Sequence, residues 1–180
     1  MAALPFDPST LGAGDRIAYD AMVARRAAHG APFDGPYLAL MNHPQLCARI
    51  EELGYYLKFQ GHLARDVYQF VVLSVARATD APFEWDDHVA NARAAGVPDA
   101  GIASLQAAGP GGAAYPAPYA VAAQVLDATL RWQDIPQPVQ DAAIADYTMQ
   151  GFVEVVVLSG FYQLFSTVNK GFAIRKGVSP

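Results

Sequence analysis

Helical signals dominate this chain, in eight successive segments, and there is little of the period-two alternation of a half-buried strand. Proline and glycine set the punctuation. A first helix over residues 15–29 is stopped by Gly30 and Pro32, and its sparse apolar positions Ile17, Met22 and Val23 place it on the outside. Residues 33–41 read as a connector. Pro44 then opens a helix to Phe59 on which Leu46, Ile50, Leu53 and Leu57 form one apolar face. A hinge at residues 60–64, marked by Gly61, leads into a third helix over 65–79, apolar enough to be core. Proline is tolerated in a first helical turn, so Pro82 restarts the chain as a fourth helix to Ala95, stopped by Gly96. A fifth helix starts at Pro98 and Asp99 and ends before Gly109-Pro110-Gly111-Gly112, the clearest flexible linker. Helices over 118–132, 136–149 and 151–170 follow. Each side of the Gly-Pro linker is short and carries a helix too apolar to stand alone. The pattern therefore predicts one all-α bundle of seven or eight helices, with residues 1–37 as an N-terminal extension and 38–180 as the domain proper.

Composition narrows the classes. With 180 residues the chain can bury a full core without a disulfide or metal staple. It is 53% hydrophobic and only 16% charged, where roughly 25% charged is usual for soluble domains. A chain this short of charge is expected to cover part of its surface with a second copy of itself. The net charge of −5 and a pI near 5.2, with no Lys/Arg cluster, argue against nucleic acid as a partner. The one cysteine, Cys47, excludes an intrachain disulfide, a CxxC pair and a cysteine-based zinc site. Residues 1–10 lack the basic start of a signal peptide, so a cytoplasmic location is expected. The most apolar stretch, residues 152–168, holds Glu154, Ser159, Gly160 and Gln163 and is short for a membrane span of about 20 residues. It is expected to be a buried helix, with no membrane partner.

The chemistry-bearing segment is Glu84-Trp85-Asp86-Asp87-His88. Glu84 and His88 are four apart, so on a helix they share a face and can act on one bound molecule. A carboxylate beside an imidazole can set its tautomer or raise its pKa, and the pair can move a proton to or from carbon or oxygen. The competing reading is an ordinary solvated i,i+4 pair in an acidic first turn. Glu84, Asp87 and His88 could also present ligands to one cation, but no second histidine lies within helical reach, so no metal is expected.

Taken in order, Leu73-Ser74-Val75-Ala76-Arg77-Ala78-Thr79, Phe83-Glu84-Trp85-Asp86-Asp87-His88, Ala94-Ala95-Gly96-Val97 and the late Val153-Glu154-Val155-Val156-Val157-Leu158-Ser159-Gly160-Phe161-Tyr162 with Asn169 resemble the carboxymuconolactone decarboxylase-like family. Asn42-His43-Pro44-Gln45-Leu46 and Leu53-Gly54 also fit its pattern, and the resemblance spans roughly residues 38–177. It implies an all-α fold of the alkylhydroperoxidase D-like type, assembled as trimers or hexamers, with the site on the helix of Glu84 and His88 near a subunit contact. Members similar to alkylhydroperoxidase D carry a glutamate, a CxxC pair and a histidine. Here the histidine falls on His88, the cysteine positions fall on Ala81 and Glu84, and the preceding glutamate falls on Gln69. Without a thiolate no nucleophile attacks a peroxide, so peroxidase activity is not expected.

Members similar to gamma-carboxymuconolactone decarboxylase have glutamate and histidine at the positions of Glu84 and His88. The resemblance thus implies a cofactor-free, lyase-type enzyme acting on a small unsaturated or lactone carboxylic acid, the kind of reaction used in breaking down aromatic compounds. His88 would be oxyanion partner or acid and Glu84 proton donor, with the two roles interchangeable. The other reading is an oligomeric member that binds a small carboxylate without turning it over. Trp85 and Tyr162 are candidates to line the pocket, against a plain core role. Gln69 sits where it can hydrogen-bond His88. His62, beside Gly61, either closes over a ligand or is a solvated loop residue. His43 before Pro44 reads as a helix start, and Asn169 as a cap or helix bridge. Glu154, in an apolar helix, needs a partner such as Arg77 or a cavity to line.

Overall fold

The computed structural model describes residues 4–176. Three positions of the expected N-terminal extension and the last four of the expected domain lie outside the described residues. Among the described residues every regular element is helical. After a 3-10 turn at Pro8–Thr10 come α1 (Ala13–Ala27), α2 (Pro36–Leu40), α3 (Pro44–Phe59), α4 (Arg65–Ala78), α5 (Pro82–Ala95), α6 (Asp99–Ala108), α7 (Tyr119–Leu130) and α8 (Gln137–Gly171). Contacts group these into two compact units, one reaching to Gln60 and resuming at Val168, the other spanning Gly61–Thr167.

In the first unit α1 and α2 pack on α3. The connector expected over residues 33–41 contains α2, which Pro36 opens just after Gly35 at φ +54°. Five residues are too few to show a hydrophobic period, so composition hides this helix. α1 keeps Ile17 outside and buries Met22 and Arg26. The apolar face expected on α3 is corrected in part: Leu57 is buried, as expected. Leu46 and Leu53 are 45% and 42% exposed, and the buried stripe is Cys47, Glu51, Gly54 and Leu57. The cause is electrostatic. Glu51, fully buried, pairs with Arg25 and lies 3.9 Å from Arg26, whose Nε donates to the Pro32 carbonyl at 2.9 Å and whose guanidinium stacks 4.4 Å over Tyr37. A buried carboxylate is tolerable only when paired, and turning α3 toward the arginines pairs it. His43 caps α3, its Nδ1 accepting from the Leu46 amide.

In the second unit α4 is central, with α5, α6 and α7 packed on it. Ten consecutive residues, Val67 to Ala76, are buried, as expected of a helix that is apolar on all sides. α5 starts with Pro82 in its first turn and ends at Gly96, whose φ of +101° is a conformation glycine adopts freely. The Val97 amide then returns to the Ala92 carbonyl at 3.0 Å, closing the end of the helix. These two stops hold Glu84 and His88 in fixed register against α4.

The two helices expected over 136–149 and 151–170 form one run, α8, interrupted at Thr148, whose φ of +67° is non-helical. Thr148 also begins the second half, its hydroxyl accepting from the Gly151 amide at 3.4 Å. By length and composition α8 could cross a membrane, and 50% of its most apolar window is buried inside the protein. The Gly109–Gly112 loop lies within this one unit. A Cβ at Gly111 would run into the Asp127 carboxylate, and the Tyr115 hydroxyl donates to the Gly109 carbonyl at 2.7 Å.

Candidate functional site

α5 presents Glu84 and His88 on one face, and both side chains are buried, 5% and 4% exposed. The solvated-pair reading of these two residues is therefore corrected. His88 Nε2 lies 3.8 Å from Glu84 Oε2 and 3.8 Å from Asp87 Oδ2. Both carboxylates thus face the same imidazole nitrogen.

α4 and α8 complete the surround. Gln69, fully buried on α4, places Oε1 2.9 Å from His88 Nδ1. An amide oxygen only accepts, so Nδ1 keeps its hydrogen and Nε2 is the nitrogen that gains and loses a proton. Tyr162 on α8 sets its ring edge-on to the imidazole at 5.4 Å, with its hydroxyl 3.4 Å from Nε2. The Tyr162 hydroxyl also meets that of Tyr68 at 2.7 Å. With Nε2 as acceptor, the hydrogen bonds run in one sense, from Tyr68 to Tyr162 to His88 to Gln69. The other end of the Gln69 amide, Nε2, is a buried donor with no partner among the described residues. An unmet buried donor costs about 1–3 kcal/mol, a penalty that a bound acceptor relieves.

Of the residues singled out by sequence, Glu84, His88, Gln69 and Tyr162 meet here, and Trp85 and His62 do not. Trp85 instead lines a cleft of about 230 Å³ with Arg77, Asp80, Asp86 and Gln106. His62, a loop residue whose side chain is 51% exposed, pairs with Glu154, which so finds the partner it was expected to need, though not in Arg77. Glu154, 6% exposed, accepts from the His62 amide at 2.8 and 2.9 Å and the Leu63 amide at 3.0 Å, and its Oε1 lies 3.0 Å from His62 Nδ1. Its partner is the turn before α4. Arg77 serves elsewhere, donating to the Gln106 carbonyl at 2.7 Å. Among the described residues no group of three or more His, Cys, Asp or Glu side chains is placed to hold a metal ion.

Tyr68 went unread in the sequence, and Asp87 was read there only as a possible cation ligand beside Glu84 and His88. Tyr68 precedes Gln69 in a segment buried throughout, so no period marks it, while Asp87 is one of three acidic residues in a single turn and only side-chain direction separates them.

The fold and site together define an all-helical protein in which a carboxylate and an imidazole are enclosed with two phenols and an amide. No family model, curated protein or solved structure matches the chain.

Proposed function

We propose that the chain is a cofactor-free enzyme of the carboxymuconolactone decarboxylase-like kind, acting on a small unsaturated or lactone carboxylic acid by proton transfer at Glu84 and His88. The observation that carries this reading is the enclosure of the pair, 3.8 Å apart and 4–5% exposed, with the imidazole tautomer set by Gln69. Away from water, charge–dipole interactions strengthen and proton leakage is suppressed. Loss of CO2 from such an acid leaves the bonding electron pair in a dienolate. The Tyr162 hydroxyl, or His88 when protonated at Nε2, can donate to the dienolate oxygen, and the Glu84 carboxyl delivers a proton to carbon. The balance is R–CO2⁻ + H⁺ → R–H + CO2.

Cys47 supports this reading over a thiol peroxidase. Its thiol is buried and pushed up to about 12, by burial first and then by the Glu51 carboxylate, so it stays protonated and unreactive at neutral pH. The reading further takes the protein as a cytoplasmic homo-oligomer, trimer or hexamer. Exposed apolar side chains support the assembly: Val153, Val156, Val157 and Leu164 line one side of α8, and Leu46, Leu53 and Tyr56 one side of α3.

The test is turnover of gamma-carboxymuconolactone and related unsaturated lactone acids, followed by CO2 release. Wild type is expected to turn over one of them, and His88→Ala to abolish turnover while helicity and assembly stay intact. Turnover that survives His88→Ala overturns the assignment. Binding of these acids with no product over hours assigns the chain instead to a non-catalytic, carboxylate-binding member.

A further inference from the structure

We propose that Asp87 is the proton port of the Glu84–His88 site, the group through which the enclosed pair exchanges protons with water. The inference rests on the proton-transfer reading above and adds to it a path. Each decarboxylation consumes one proton, so a proton must enter from solvent in every cycle. Glu84 and His88 cannot take it directly, because their side chains are 5% and 4% exposed. Tyr162, whose hydroxyl lies 3.4 Å from Nε2, and Tyr68 behind it are only 4% and 3% exposed, so they too are shut off from water. Among the described groups that meet His88 Nε2, Asp87 is the one that also reaches water: its side chain is 26% exposed and its Oδ2 lies 3.8 Å from His88 Nε2.

The geometry also fixes the order of transfer. Nδ1 is committed to the Gln69 carbonyl oxygen, so only Nε2 carries the moving proton. That nitrogen faces the Tyr162 hydroxyl at 3.4 Å, a neutral group that keeps its proton, and the carboxylates Asp87 Oδ2 and Glu84 Oε2 at the same separation, 3.8 Å. A hydrogen bond needs about 2.7–3.0 Å, so Nε2 engages one carboxylate at a time after a side-chain movement of about 1 Å. Asp87 takes a proton from water and passes it to Nε2. The imidazolium then passes it to Glu84, and the Glu84 carboxyl gives it to the substrate carbon. After the last step all three groups are back in their starting forms. Asp87 touches no reacting atom in this scheme and acts through His88.

The port is tested on the full chain without substrate, so its failure is distinct from failure of the decarboxylase reading. The rate at which His88 gains and loses its Nε2 proton is read by relaxation dispersion of the imidazole ¹³Cε1 signal. Asp87→Asn is expected to slow this exchange about tenfold or more. Asp87→Glu should restore it, as should a small acid such as formic acid or imidazolium in the buffer. Wild type should show no dependence on the added acid. Exchange unchanged in Asp87→Asn, or slowed in a way that neither Asp87→Glu nor added acid restores, overturns the proposal. Should Asp87→Asn fail to fold, dependence of wild-type exchange on added acid overturns it equally.

Discussion

Gln69 and His88 are joined across α4 and α5 by a hydrogen bond of 2.9 Å between amide oxygen and Nδ1, both groups buried. The bond decides which imidazole nitrogen is chemically available. Replacing the amide by a carboxylate, Gln69→Glu, sets a negative charge against Nδ1 and favours imidazolium, so the His88 pKa is expected to rise by about one to three units. Gln69→Leu leaves Nδ1–H without its acceptor and should destabilise the fold by about 1–3 kcal/mol. A ¹⁵N titration of the imidazole and a denaturant titration read the two effects. An unchanged His88 titration in Gln69→Glu removes Gln69 from control of the imidazole.

Glu154 accepts two backbone amides from the turn before α4 and faces the His62 imidazole. Removing it strands two amides that form no bond within a helix. Glu154→Ala is expected to cost about 3 kcal/mol, lowering Tm by about 6–12 °C for a chain of this size. Glu154→Gln keeps one acceptor oxygen and should lose less. Thermal unfolding followed by circular dichroism ranks the three proteins, and a Glu154→Ala midpoint equal to wild type contradicts the role assigned to the clamp.

The contrast between α5 and α3 shows what is legible in such a chain. Both bounds of α5 were readable, because Pro82 and Gly96 act through their own backbone chemistry and need no tertiary partner. The face of α3 was not. Its leucine period pointed to Leu46, Ile50, Leu53 and Leu57, of which Leu57 is buried, but the helix turns to give Glu51 to Arg25 and Arg26, residues more than twenty positions away. Pairwise spacing placed Glu84 beside His88, and direct alignment of functional positions placed Gln69 near them. Tyr68 depends on where side chains cross between helices, which no local pattern encodes. For the same reason Glu154 could be recognised as needing a partner, while the partner itself, an amide pair and an imidazole more than ninety residues distant, could not.

Alkaline pH should expose a second set of buried groups. Burial pushes Cys47 up to about 12, and Tyr147 also to about 12. Burial and the Asp66 carboxylate take Tyr119 to about 12, its hydroxyl donating to Asp66 Oδ2 at 2.9 Å. In the unfolded chain these groups ionise near 8.5 for cysteine and about 10 for tyrosine. All three stay protonated in the folded state while the unfolded chain loses protons. Stability is therefore unaffected below about pH 8 and falls progressively as pH rises toward 12. Urea midpoints between pH 7 and 11 should decline, with spectroscopic tyrosine titration of the native protein lagging that of the unfolded chain. Iodoacetamide at pH 8 should leave Cys47 unmodified until denaturant is added. Rapid native alkylation contradicts the burial of the thiol.

The exposed side of α8 offers the last prediction. Val153, Val156, Val157 and Leu164 are 36–51% exposed and recur at helical spacing, with Gly160 among them opening onto empty space. None of these residues carries a charge. Leaving such a stripe in water forgoes about 25 cal/mol for each square ångström that a partner could cover, and a chain with 16% charged residues has little else to shield it. Light scattering at micromolar concentration is expected to give three or six times 19.2 kDa. Val157→Asp, which forces an unpaired carboxylate into the desolvated face, should shift that mass toward the single chain while leaving helicity unchanged. Because Val157 points away from the enclosed pair, the variant also separates assembly from chemistry: turnover lost together with the oligomer places a subunit contact at the site, and turnover retained by the monomer confines the site to one chain.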